Sequence, residues 1–241
     1  MGQLLGPGVV LYGPPHFLYN LTMNKTVQNI TEQIKQKYPD ADTILLFGSA
    51  ISDGWTPDSD IDIFLIDSKY NDEREDIILD NISVEIQKDS FDNITKDIEG
   101  ERGRLLNRNV ATMMSESTLI STKSPEQLEL LKSLAQDVLE SPSKYDEEDL
   151  KMWQYSIADY LGKADRDLER NDLIAFYIDA HYVLQNALEK TLAMNGAYMP
   201  KPKRLAKLLE KIDPNFHQIF LDFASEPDPR KRLEILRSLS V

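Results

Sequence analysis

Cysteine is absent from all 241 residues. The chain therefore builds no disulfide framework, no thiolate metal site and no thiol nucleophile, a composition that suits a reducing cytoplasm. Positive charge is scarce as well. Lys and Arg number 27 against 41 Asp and Glu, for a formal net charge of −14. Binding along a nucleic acid needs Lys and Arg on the phosphates, so a long nucleic acid is a poor partner for this chain. A small neutral or cationic molecule is compatible with it. Long apolar runs are missing too: nothing approaches the roughly 20 residues of a membrane-spanning helix, and no membrane partner is expected. The opening stretch, MGQLLGPGVVLYGPPHFLYNLT, is apolar but broken by Gly6-Pro7-Gly8 and Gly13-Pro14-Pro15, with no basic start. It reads as an N-terminal arm over residues 1–23 that packs on the body, not as a signal peptide. The sequence holds no internal repeat and no low-complexity tract.

What remains is an ordinary globular composition, 41% apolar and 28% charged, long enough for one large domain or two small ones. The acidity is uneven: residues 1–121 carry 10 Lys and Arg against 20 Asp and Glu, and residues 122–241 carry 17 against 21.

The acidic half contains the most informative run, ILLFGSAISDGWTPDSDIDIFLI at residues 44–66. An apolar segment ends in Gly48-Ser49, and ten residues on come Asp60-Ile61-Asp62 and a second apolar segment. Two carboxylates at i and i+2 of a strand point to one face with Cα atoms roughly 6–7 Å apart. Side by side and unpaired they repel, and a divalent cation makes such a pair favourable. Oxygen-only ligands suit Mg²⁺. A Gly-Ser turn offers a phosphate close backbone approach, free N–H groups and a hydroxyl. A phosphate cradle beside metal-binding carboxylates is the equipment of phosphoryl or nucleotidyl transfer.

Around this run, residues 24–38 read as a helix with Val27, Ile30 and Ile34 on one face. Residues 43–47 and 59–66 read as strands, with loop chemistry between them. Residues 68–80 are charged and begin with a loop or short helix. Residues 82–87 alternate with period two and form a strand with Glu85 on its polar face. Residues 90–115 look largely helical, 117–121 extended, and Ser124-Pro125-Glu126 opens a helix to about Glu140. Ser141-Pro142-Ser143-Lys144 marks a boundary, beyond which everything is helical. One apolar stripe runs from Leu150 to Leu168, a second from Leu173 to Thr191, and shorter helices follow near 203–212, 215–224 and 229–239. The expected fold class is α+β: a small mixed sheet flanked by helices at 24–140, then an all-α bundle at 145–241.

With strands two and three as neighbours, Asp60, Asp62 and Glu85 share a sheet face, enough to hold two Mg²⁺ ions roughly 4 Å apart. The run Gly48-Ser49, ten residues, Asp60-Ile61-Asp62-Ile63 and then Glu85 resembles the polymerase-β-type nucleotidyltransferase superfamily. The helical second half, with Asn195 to Lys203 (NGAYMPKPK), is similar to the antibiotic nucleotidyltransferases of kanamycin, streptomycin and lincosamide type. The resemblance implies that Asp60, Asp62 and Glu85 are the catalytic, metal-binding acids, taking two Mg²⁺ or Mn²⁺ ions. It implies that Gly48, Ser49 and Ser59 meet the nucleotide. It further implies an NTP such as ATP as co-substrate and a hydroxyl of a small molecule such as an aminoglycoside or lincosamide as acceptor, in the setting of antibiotic resistance. Pyrophosphate leaves.

Small members of that superfamily often carry Arg or Lys inside the Gly-Ser loop; here Ala50-Ile51-Ser52-Asp53 has no cation. Triphosphate charge must then be met by metal and by residues elsewhere: Lys201, Lys203 and Arg204, or Arg102, Arg104 and Arg108. Trp55 reads as a partly buried loop aromatic, and His181, Asp172 and Asp179 as structural or solvated groups. Two other functions stay open: an antitoxin-like enzyme that adds AMP to a protein partner, and a non-catalytic nucleotide-binding protein. The acceptor, the base and the choice between monomer and homodimer are not written in these motifs.

Overall fold

The apolar runs on either side of the Gly-Ser turn become the middle of a sheet. The computed structural model describes residues 24–51 and 55–240. It places β1 at Thr43–Phe47 and β2 at Ile61–Ile66, antiparallel to each other. β3 (Glu73–Leu79) and β4 (Ile82–Asp89) form an antiparallel hairpin, and β4 runs parallel to β2. β5 (Thr118–Thr122) pairs with the far side of β1, so the order is β3-β4-β2-β1-β5. The arm expected at 1–23 and residues 52–54 of the loop after Ile51 lie outside the described residues.

Helices cover both faces of this sheet, which is why β1 and β2 read as continuous apolar runs and not as alternating ones. On one face, Val27, Ile30 and Ile34 of α1 (Lys25–Lys37) pack on Ile44, Leu46, Ile61, Ile63, Leu65, Val84 and Ile86. On the other, Leu45, Phe47, Phe64 and Ile66 meet residues from α2 (Phe91–Gly100), α3 (Asn109–Glu116) and α4 (Pro125–Glu140). Each of these apolar side chains is buried, and at about 25 cal/mol per Å² the two layers hold the sheet in one register.

Three local readings differ from the structure. Past the loop that opens residues 68–80, residues 73–79 form a strand that the sequence did not mark, the edge strand β3, whose Glu73, Arg74 and Asp76 face solvent. Its hairpin closes through Asp80-Asn81, both at positive φ (50° and 64°), the backbone that two-residue hairpin turns require. β2 begins at Ile61, so Asp60 sits just before the strand. Helix does not run through 90–115: it stops at Gly100 and restarts at Asn109.

The reason for that break is a division of the chain. The described residues up to Arg102, with Arg108–Ser141, form one compact unit; Gly103–Asn107 and the residues from Pro142 onward form the other. At the returning end, Arg108 is 2% exposed and caps α4 from inside the first unit, donating from Nη1 to Val138 O at 2.7 Å and Ser141 O at 2.6 Å. Buried Glu101 accepts from the backbone N–H groups of Val110 (3.0 Å) and Ala111 (2.9 Å), satisfying the orphan donors at the start of α3.

The helical unit is built on α5 (Glu147–Glu169) and α6 (Leu173–Met194), turned back on each other through Arg170-Asn171-Asp172. Asp146 and Asp149 form a capping box at the start of α5. Ile157, Leu161 and Ala164 meet Phe176, Ala180, Val183, Leu184 and Leu188 in its core. Leu173 and Tyr177, read as part of the buried stripe, are exposed. α7 (Pro202–Ile212), α8 (Pro214–Ser225) and α9 (Pro229–Arg237) each open on proline, whose missing N–H costs nothing there. Leu105 packs on this unit's core, and its carbonyl accepts from Met199 N at 2.8 Å. No described helix is long and apolar enough to cross a membrane.

Candidate active site

Strand register assembles the site. β1 ends with Phe47 opposite Asp62, so the turn that follows β1 lies against the Asp62 carboxylate. Gly48 makes this approach possible. Its φ is +74°, and a Cβ built there falls 1.8 Å from Asp62 Oδ2. Both the backbone conformation and the close approach demand a residue without a side chain. Ser49 follows, half-buried, on the short 3₁₀ turn Gly48–Ile51.

The parallel pairing of β2 with β4 sets Asp62 directly opposite Glu85. Asp60 is exposed just before β2, and Ile61 between the two acids is buried on the α1 side. Asp60, Asp62 and Glu85 each present a carboxylate oxygen, all within 4.8 Å of one another. Three oxygen donors this close, with no apolar cover, fit hard divalent cations such as Mg²⁺ or Mn²⁺. The same acids without a cation would repel one another at that range.

Other predicted residues fall in varied places. Ser59 closes the loop before Asp60: its N–H donates to Thr56 O at 2.9 Å, and its Oγ accepts from Thr56 N at 3.3 Å. Trp55 is half-buried against the α1-side core. Lys201 and Lys203 are exposed at the start of α7, in the helical unit, while the acids belong to the other unit. Arg108 is held at the end of α4, and Arg102 pairs with Glu99 (2.5 Å) and Asp137 (2.7 Å). In the helical unit, Asp172 caps α6 by accepting from Ala175 N at 3.1 Å. Burial, and then a hydrogen bond with Asp167, raises the Asp179 carboxyl above its usual range. His181 is exposed on α6.

One group escaped the sequence reading. Arg74 of β3 reaches Glu85: its Nη2 lies 3.0 Å from Glu85 Oε2, and its Nε lies 3.2 Å from Asp76 Oδ1. Asp76 is the cross-strand partner of Glu85, so four carboxylates and one guanidinium share this end of the sheet. The signal that could have found it was the Asp80-Asn81 turn, which makes residues 73–79 the strand beside β4.

Residues 28–126 match the family model for polymerase beta, nucleotidyltransferase. Among solved structures, the chain is similar to a nucleotidyltransferase-like protein from Exiguobacterium sibiricum 255-15, at 15% identity and a TM-score of 0.47, over 88% of this chain and 74% of that one. None of the curated proteins compared matches.

Proposed function

With residues 28–126 a nucleotidyltransferase domain of the polymerase-β type, we propose that the chain transfers a nucleoside monophosphate from an NTP to a hydroxyl of a small molecule and releases pyrophosphate. The observation that carries this reading is the Gly48-Ser49 turn lying against Asp62, one of three carboxylates within 4.8 Å of one another. An aminoglycoside- or lincosamide-like acceptor is the class to test first.

In this reading the acceptor oxygen attacks the α-phosphorus. The new bond is O–Pα; the bond broken joins Pα to the bridging oxygen, and its electron pair leaves with pyrophosphate. Asp60, Asp62 and Glu85 would hold Mg²⁺, which when bound neutralises charge on the phosphates and acidifies the acceptor hydroxyl. Gly48 lets the chain approach a phosphate without a Cβ, and Ser49 offers it a backbone N–H and a hydroxyl. Glu85, on β4, is the acid assigned to take the hydroxyl proton.

The test is transfer of label from an α-labelled NTP, with Mg²⁺, to a panel of hydroxylated acceptors. Asp60→Asn and Asp62→Asn should each lower the rate by at least about 10³-fold while leaving the thermal unfolding curve in place. Transfer that survives both substitutions refutes the mechanism. Label on a copurifying protein, with none on any small acceptor, would move the assignment to a protein-directed enzyme.

A further inference from the structure

Of the three acids, Glu85 already carries a positive partner, Arg74 of β3. Its guanidinium contacts one of the two Glu85 oxygens at 3.0 Å, while Gln87 Nε2 donates to the other at 3.4 Å. Glu85 is 20% exposed, so this pair is shielded from water on one side; Arg74 itself is 61% exposed and can swing away. Its second anchor is Asp76, which holds Nε from the same strand and keeps the guanidinium partnered when Glu85 is withdrawn.

We propose that Arg74 is a tethered counter-ion that competes with a divalent cation for Glu85, and so couples metal binding to arrival of the nucleotide. The inference rests on the reading of Asp60, Asp62 and Glu85 as metal ligands. A cation that takes the Glu85 oxygen must displace a guanidinium already there. A triphosphate changes that balance, since it offers anionic oxygens both to a metal and to a released guanidinium. The same pairing explains how four carboxylates are tolerated on one end of the sheet before any ligand binds.

The experiment is titration of Mn²⁺, with free ion counted by electron paramagnetic resonance, on the full chain without nucleotide. Arg74→Met should tighten Mn²⁺ binding about three- to fivefold. In a Glu85→Gln background the same substitution should change it less than about twofold, because no ligand oxygen is being freed. Equal tightening in both backgrounds would reduce Arg74 to diffuse charge and overturn the proposal, as would no tightening at all. A non-hydrolysable NTP should strengthen Mn²⁺ binding more in the wild type than in Arg74→Met. Arg74→Gln serves as a second variant should the methionine at this exposed edge disturb folding. The underlying site reading has its own readout: Mn²⁺ binding with the NTP analogue that is unaffected by Asp60→Asn and Asp62→Asn puts the metal elsewhere and sinks both ideas. Binding lost in those variants but indifferent to Arg74 sinks this one alone.

Discussion

Substitution of Gly48 by alanine separates backbone strain from damage to the site. Gly48 has φ +74°, and an alanine held there costs about 1 kcal/mol from the left-handed backbone alone. The new Cβ would also lie 1.8 Å from Asp62 Oδ2 and 2.8 Å from its Cγ, so the carboxylate must rotate away. Gly103 supplies the control. Its φ is +76°, so the backbone cost is the same, but its Cβ would meet only the stem of Lys144, at 2.8 Å from Cγ and Cδ. That lysine is exposed and can swing into solvent. Both variants should therefore lose about 1 kcal/mol, a fall of about 3–5 °C in the melting temperature of the affected unit. Only Gly48→Ala should weaken Mn²⁺ binding in the presence of a non-hydrolysable NTP, by about tenfold or more, since it turns a ligand out of place. Calorimetry gives the first quantity and metal titration the second. If Gly48→Ala binds Mn²⁺ within about twofold of Gly103→Ala, the argument that this turn sets the position of Asp62 is wrong.

Two further outcomes test the frame around the site. Hydrogen bonds from Lys88, then Tyr38 and Lys37, hold the Glu75 carboxyl down to about 2, against an ordinary value of 4.5. Its contribution is thus complete above about pH 4.5 and disappears as pH falls toward 2; with the side chain 31% exposed, the full linkage value of about 3 kcal/mol is reduced to about 1–2. Denaturant titrations between pH 5 and 2 should show Glu75→Gln flattening that loss. Arg108→Ala should cost about 2 kcal/mol in the same assay, because it removes the guanidinium's bonds to the Val138 and Ser141 carbonyls, of which Val138 O keeps its bonds from Ser141 N and Oγ. Arg108→Lys should recover part, since one ammonium can offer N–H groups to both carbonyls as the single Nη1 does.

Where one physical signal dominated, the fold was legible in the residues. The apolar runs of β1 and β2, the period-two pattern of β4 and the proline-led helices α7 to α9 all follow from burial and capping. So does the meeting of the three acids: an acid-apolar-acid step and a strand with Glu85 on its polar face put them together once β2 and β4 are neighbours. Illegible were features set by distant parts of the chain. The 103–107 segment looks helical by composition, yet its Leu105 packs in the helical unit's core and its Gly103 and Asn107 take positive φ. Sequence also offered Arg108 as a phosphate ligand, when burial makes it a helix cap.

β3 joins the fold and the site. Glu73, Arg74 and Asp76 look like solvated loop because no apolar stripe marks them. That is how an edge strand is kept from pairing with another chain, with charge where apolar residues would invite a neighbour. Without such a stripe the strand goes unmarked in the sequence, and so does the pairing of Arg74 with Glu85. The search for positive charge then went to α7 and to the arginines at 102, 104 and 108. Once β3 is paired to β4, Arg74 comes to Glu85 through strand register, from a position no spacing motif would single out. A charged edge strand beside an acidic site thus has two effects at once: it discourages edge pairing, and it places a positive charge within reach of Glu85. The two can be separated, because Arg74→Glu keeps the edge charged and inverts the charge offered to Glu85. That variant should stay monodisperse by light scattering while its Mn²⁺ affinity rises above that of Arg74→Met. Aggregation would mean that the positive sign of this charge matters to the edge as well as to the site.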